Sequence, residues 1–157
     1  MYISRTLEQV FLEASAYYPV LALCGQRQVG KSTMLNAIKQ KDRRYVTFDD
    51  RNARHLAESD PELFFETYGK KLIIDEFQRV PDLLLEIKKI VDAEALAGND
   101  NNGMFWLTGS QQLRMMRSIS ETLAGRVGIF SFSSFSQSEL CRIKRPVFSA
   151  DVENLKK

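Results

Sequence analysis

The chain has 157 residues, 44% of them apolar and 27% charged, which is the balance of a soluble globular protein with core enough for one domain. Its net charge of +2 is too small to argue for nucleic acid or an anionic membrane as partner. Two cysteines are too few for a disulfide framework, and no apolar run approaches the ~18 residues of a membrane span, so reduced thiols and a cytoplasmic setting are expected.

Residues 6–17 carry Leu7, Val10, Phe11 and Ala14 at helical spacing, with Thr6 and Gln9 placed as a capping box and Pro19 ending the helix. Arg5, Glu8 and Glu13 interrupt the apolar residues here, so this is not a signal peptide. Val20-Leu21-Ala22-Leu23-Cys24 reads as a buried strand. It runs into Gly25-Gln26-Arg27-Gln28-Val29-Gly30-Lys31-Ser32, which satisfies G-x-x-x-x-G-K-[ST] at every fixed position, and a helical pattern with Met34, Leu35 and Ile38 comes next. Strand, glycine loop and helix in that order form a phosphate cradle. The glycines let backbone N–H groups turn inward, and the helix N-terminus adds positive partial charge. Lys31 is expected to reach the β- and γ-phosphates and Ser32 to ligate Mg²⁺, with Gly25, Gln26, Arg27, Gln28, Val29, Gly30 and Thr33 completing the nucleotide-contacting set.

The basic stretch Lys39–Arg44 reads as a solvated helix end favoured by the helix dipole. A second strand, Tyr45–Phe48, stops at Asp49-Asp50, which suit capping of the next element. Residues 52–68 predict short helices broken at Asp60-Pro61, with Phe64, Phe65 and Tyr68 as a packing stripe. His55 has neither a second histidine nor a cysteine pair beside it, so metal ligation there is not indicated. Lys71–Glu76 is a third strand, apolar on both faces as an internal parallel strand is. Pro81 opens a helix with Leu84, Ile87 and Val91 on one stripe. A polar loop, Gly98–Gly103, precedes a fourth strand, Met104–Thr108, on which Trp106 reads as core. A helix over Gln111–Leu123 and a fifth strand over Gly128–Phe132 complete the pattern. Strands alternating with helices predict right-handed crossovers and a parallel sheet covered on both faces.

The second chemical feature is Leu72-Ile73-Ile74-Asp75, a hydrophobic run ending in an acid, with Glu76 directly after it. Ligands of parallel α/β sheets sit at the carboxyl ends of the strands, which brings both acids beside the phosphate loop. Asp75 is then expected to hold Mg²⁺ and Glu76 to polarise an attacking water. On their own the two acids also fit a solvated strand end. An adjacent Glu favours hydrolysis over the single Asp of a switch or kinase. No N-K-x-D stretch is present to read guanine.

Gly25–Ser32, the stretch Ile73-Ile74-Asp75-Glu76-Phe77-Gln78-Arg79-Val80-Pro81, Leu107-Thr108-Gly109-Ser110 and Leu123-Ala124-Gly125-Arg126-Val127 resemble the AAA-type ATPase domain of a group of prokaryotic ATPases. The resemblance runs from about Ile3 to Leu140, and Asp-Glu-Phe-Gln-Arg-Val-Pro is its most specific piece. It implies a three-layer P-loop fold whose five-stranded parallel sheet has the additional-strand order 5-1-4-3-2. It also implies ATP and Mg²⁺ as ligands, a sensor role for Thr108 or Ser110, and an arginine finger at Arg126 that reaches a second subunit of a homo-oligomer. An ordinary intrachain ion pair is the alternative for Arg126, and Arg114 and Arg117 are weaker finger candidates. Gln26 stands where the family commonly has Pro, and Phe132-Ser133-Ser134-Phe135 replaces its usual segment after the fifth strand. Family members continue into a C-terminal effector domain. Residues 1–140 are therefore read as the ATPase domain and 141–157 as a linker or the start of a further segment. Two readings stay open: an ATPase, and a nucleotide-binding switch with negligible turnover.

Overall fold

A computed structural model describes residues 2–110 and 113–142, with the backbone alone for residues 113–115. Residues 143–157 of the proposed 141–157 linker, the start of the predicted helix at Gln111 and the side chain of Arg114 lie outside the described residues. The elements in chain order are α1 (Leu7–Ala14), β1 (Val20–Gly25), α2 (Lys31–Ile38), β2 (Arg44–Thr47), α3 (Arg51–Ser59), α4 (Pro61–Tyr68), β3 (Leu72–Asp75), α5 (Leu83–Leu96), β4 (Phe105–Ser110), α6 (Leu113–Thr122), β5 (Val127–Phe132) and α7 (Gln137–Leu140). A single 3-10 turn, Phe77–Arg79, lies between β3 and α5.

The five strands form one parallel sheet in the order β2-β3-β4-β1-β5, the same sequence of strands as 5-1-4-3-2 read from the other edge. β4 separates β3 from β1, so the acids on β3 are not on the strand next to the phosphate loop. Because side chains alternate along a strand, each strand feeds two cores. Val20, Ala22, Cys24, Leu72, Ile74, Phe105 and Leu107 face α3 to α6 with Phe64, Ile87 and Val91. Leu21, Leu23, Ile73 and Trp106 face α1 and α2, meeting Phe11, Met34 and Leu35. That gives three layers, helices on both sides of the sheet. Phe64 forms a ring cluster with Phe48, Phe65 and Tyr68, so the aromatic stripe is packing as expected.

Three local expectations need correction. No side-chain bond caps α1 at Thr6. The Thr6 amide donates instead to Glu139 Oε1 at 2.8 Å and the Arg5 amide to Glu8 Oε1 at 2.6 Å, while Gln9 bonds Glu13, and α1 ends at Ala14. Pro81 lies two residues before α5, whose N-cap is Asp82. Arg43 is not part of a solvated helix end: it is 4% exposed, its guanidinium donates to the carbonyls of Gly103 and Met104, and it lies over the Trp106 ring at 3.9 Å. Lys39 is the C-cap of α2, so the run does begin at the helix end, and Arg43 is its one buried member. Burial pushes the Arg43 pKa down to about 10, which still leaves it charged at neutral pH.

Candidate functional site

The cleft opens where the strands end. Gly30, at φ +94°, carries the chain from the loop into α2, a conformation that glycine takes without the penalty of a Cβ. Gly25 is needed for a different reason. A Cβ there would lie 2.2 Å from the carbonyl oxygen of Phe132, so the close approach of β5 excludes any larger residue. Lys31 starts α2 and is 6% exposed. Its Nζ folds back on the loop, donating to the carbonyls of Gly25 at 3.1 Å and Gln26 at 2.7 Å. A nearly buried ammonium bonded to neutral carbonyls gains most from an anion, because charge-assisted bonds are about twice as strong as neutral ones.

Three hydroxyls converge on Asp75 at the end of β3. Ser32 Oγ donates to Oδ2 at 2.9 Å, Tyr45 OH to the same oxygen at 2.6 Å, and Thr108 Oγ1 to Oδ1 at 2.5 Å. They come from α2, β2 and β4, and the parallel sheet is what brings these strand ends together. Burial and then the bond to Asp75 push the Tyr45 pKa upward, so the phenol stays protonated and remains a donor. The hydroxyl of Thr108, 1% exposed, therefore supports Asp75.

Glu76 leaves the strand in the left-handed region, φ +55° and ψ 39°, which is costly for a residue with a side chain. Gln78 Nε2 donates to Glu76 Oε2, and Gln78 Oε1 accepts the Ser110 amide at 3.3 Å. The amide side chain thus ties Glu76 to the end of β4. Ser110 Oγ is buried and has no hydrogen-bond partner among the described residues. At the outer wall Arg79 Nη2 pairs with Asp49 Oδ1 at 2.5 Å. Asp50, one residue on, is the acid that caps α3 by accepting the Asn52 amide. The cleft measures about 440 Å³ and is walled by the loop and first turn of α2 (Arg27, Gln28, Gly30 to Thr33) and by Asp49, Glu76 and Arg79. That is the size range of small-molecule sites.

The fold therefore gathers Lys31, Ser32, Thr33 and Glu76 around one cleft, with Asp75 bonded to Ser32 and Ser110 tied to Glu76. Arg126 lies elsewhere. It precedes β5 at the amino edge of the sheet, where its carbonyl accepts the Val20 amide. Its Nε pairs with Asp92 at 2.5 Å, and Nη1 donates to the Ala124 carbonyl. Since β1 runs its whole length between Val20 and the loop, roughly 16 Å separate Arg126 from its own cleft. Arg117 is paired along its helix with Glu121.

Four site residues escaped sequence reasoning: Tyr45, Gln78, Arg79 and Asp49. Tyr45 carried no signal beyond strand propensity. Gln78 and Arg79 lay inside the most specific stretch of the resemblance, which was a signal without a role attached. Arg5 was also missed. It is 7% exposed, donates to Val29 O in the phosphate loop at 3.2 Å and to Ser133 O after β5, and stacks on Phe132 and Phe135. Glu139 faces it at 3.3 Å.

A serine hydroxyl beside a carboxylate offers hard oxygen ligands, which suit Mg²⁺ rather than a soft metal. The buried lysine beside them suits a polyphosphate. Fold and cleft together define a P-loop nucleotide-binding domain with an additional-strand sheet. The family model described as an AAA domain matches residues 17–141, and the chain belongs to that family. Uncharacterized proteins of Mycobacterium bovis and Mycobacterium tuberculosis are each 35% identical to it over 121 residues, covering 75% of this chain and 26% of theirs. The chain thus spans about a quarter of the length of these curated relatives. A crystal structure of a DNA replication initiation factor superimposes with a TM-score of 0.51 at 14% identity, covering 81% of this chain and 44% of that one, a likeness of fold. AAA-family membership brings nucleotide binding with it. No helix among the described residues is long and apolar enough to cross a membrane.

Proposed function

We propose that this domain binds ATP with Mg²⁺ and hydrolyses it, and that it drives or regulates a C-terminal effector module or a partner. The observation that carries this reading is the 2.9 Å bond between Ser32 and Asp75, made beside Lys31 and Glu76. Two oxygen ligands for a cation, a lysine for the phosphates and a carboxylate for water meet in one cleft.

In this reading the loop amides and Lys31 hold the β- and γ-phosphates, and Lys31 exchanges its carbonyl partners for phosphate oxygens. Ser32 and Asp75 would hold Mg²⁺, which would supply positive charge against the phosphate oxygens. Glu76 accepts a proton as the water oxygen bonds to the γ-phosphorus and the bond to the bridging oxygen breaks. Thr108 keeps the Asp75 carboxylate oriented, and Ser110 offers a hydroxyl at the end of β4. Arg126, remote from its own cleft, serves the cleft of a neighbouring copy once released from Asp92.

Phosphate release by wild type, Lys31→Ala and Glu76→Gln tests this. Hydrolysis should fall at least about a hundredfold in both variants, with nucleotide binding lost in Lys31→Ala and kept in Glu76→Gln. Assembly-dependent turnover predicts specific activity that climbs with protein concentration, and an Arg126→Ala variant that does not climb.

A switch with negligible turnover is the second reading. It is favoured by one observation: Glu76 is engaged by Gln78 and held in a strained conformation. Nucleotide binding by wild type with phosphate release no faster than that of Lys31→Ala would establish it over hydrolysis.

A further inference from the structure

We infer that Arg79 is a terminal-phosphate contact made within the same chain, held in reserve by Asp49 until a nucleoside triphosphate displaces it. The inference rests on the nucleotide reading of this cleft and adds a residue that distinguishes the triphosphate from the diphosphate.

Both members of the pair stand on short, well-anchored turns. Arg79 closes the 3-10 turn after Glu76, flanked by Phe77, which is fully buried, and Val80, 4% exposed. Asp49 comes directly after Phe48, also fully buried, whose amide donates to the carbonyl of Asp75. The backbones are thus fixed against the end of β3, and both residues line the cleft shared with Lys31 and Glu76. Arg79 and Asp49 side chains are 39% and 60% exposed. An ion pair that open to water is weak and is exchanged easily. A phosphate offers the guanidinium a stronger, two-pronged partner than the single carboxylate oxygen it now holds.

Position decides which phosphate is read. Lys31 and the loop amides stand on the loop after β1 and the first turn of α2, from which they serve the β- and γ-phosphates together in this reading. Arg79 stands on a different element, the 3-10 turn after β3, three residues past Glu76, the carboxylate that must meet the terminal phosphate in this reading. Arg27, the other arginine of the cleft, belongs to the loop itself. Arg79 is therefore the arginine that the turn after β3 brings to the cleft, and its carboxylate partner gives it a resting place when no third phosphate is present.

Calorimetric titration of the intact chain with ADP and with a non-hydrolysable ATP analogue, each with Mg²⁺, separates the possibilities. Arg79→Ala should weaken the triphosphate about tenfold or more while changing ADP by less than about threefold. Arg79→Lys should recover only part of the loss, and Asp49→Asn should tighten the triphosphate severalfold without affecting ADP. Equal losses for both nucleotides, or no loss, in Arg79→Ala overturn the role of Arg79 while leaving the nucleotide reading intact. Wild-type protein that binds neither nucleotide overturns that reading, and this inference with it.

Discussion

Tyr45 OH donates to the same Asp75 oxygen that accepts the Ser32 hydroxyl, at 2.6 Å and 2.9 Å. Residues from β2 and α2 thereby hold one carboxylate between them, and Thr108 holds its other oxygen from β4. An acid restrained by three hydroxyls would be presented to a cation in one orientation, as the proposed magnesium role requires, and ordering would then cost little.

Removing one restraint should show as looser metal use. Tyr45→Phe keeps the ring and deletes the donor. About tenfold more Mg²⁺ should be needed for half-maximal ATP binding, which a magnesium titration monitored by calorimetry would read. Unchanged magnesium dependence would reduce Tyr45 to a packing residue.

Glu76 offers a test of strain stored at a functional site. Its left-handed backbone costs any residue with a Cβ, whereas glycine adopts it freely. Glu76→Gly should therefore be more stable to urea than Glu76→Ala by about 1 kcal/mol, although both lack the carboxylate. The reverse order would mean that the turn relaxes out of the left-handed region once Glu76 is gone.

Glu139 links α7 to the amino-terminal segment. Burial raises its pKa, but bonds from the Ser136 and Thr6 amides and the Arg5 guanidinium outweigh that and bring it to about 2, against an ordinary 4.5. A carboxylate depressed by folding contributes stability above its unfolded pKa and loses it as pH falls through the folded one. The contribution should be complete above pH 4.5 and disappear on the way to pH 2. Urea unfolding at pH 5.5 and pH 3 would measure it, with Glu139→Gln losing less stability over that interval than wild type. Parallel losses in the two proteins would assign the acid sensitivity to other carboxylates.

How far the chain could be read depended on how local each signal is. The phosphate loop was legible because strand, glycines, lysine and helix are contiguous, and each has its own local requirement. Asp75 was legible because a buried strand ending in acids has few other uses beside such a loop. The strand order came from the resemblance alone, since periodicity states which residues are strands and nothing about which neighbour each one takes. Arg43 shows the limit most plainly. It sits in a run of charges that looks solvated, and only the return of Gly103 and Met104 about sixty residues later turns it into a buried tie stacked over Trp106. Tyr45 and Gln78 were illegible for the same reason: each acts through a partner on another element, Asp75 for one and the Ser110 amide for the other. Gly25 was read for a phosphate and is required at least equally by β5.

The central claim is that the cleft beneath Lys31 takes a nucleoside triphosphate together with Mg²⁺. Titrating ATP into the wild-type chain and into Lys31→Ala, each with and without Mg²⁺, tests it in one experiment. The account predicts saturable one-site binding by wild type, strengthened by Mg²⁺, and loss of that binding in a Lys31→Ala variant that unfolds at the same urea concentration. Wild-type protein that gives no heat of binding, or a folded Lys31→Ala variant that binds ATP as tightly as wild type, would contradict it.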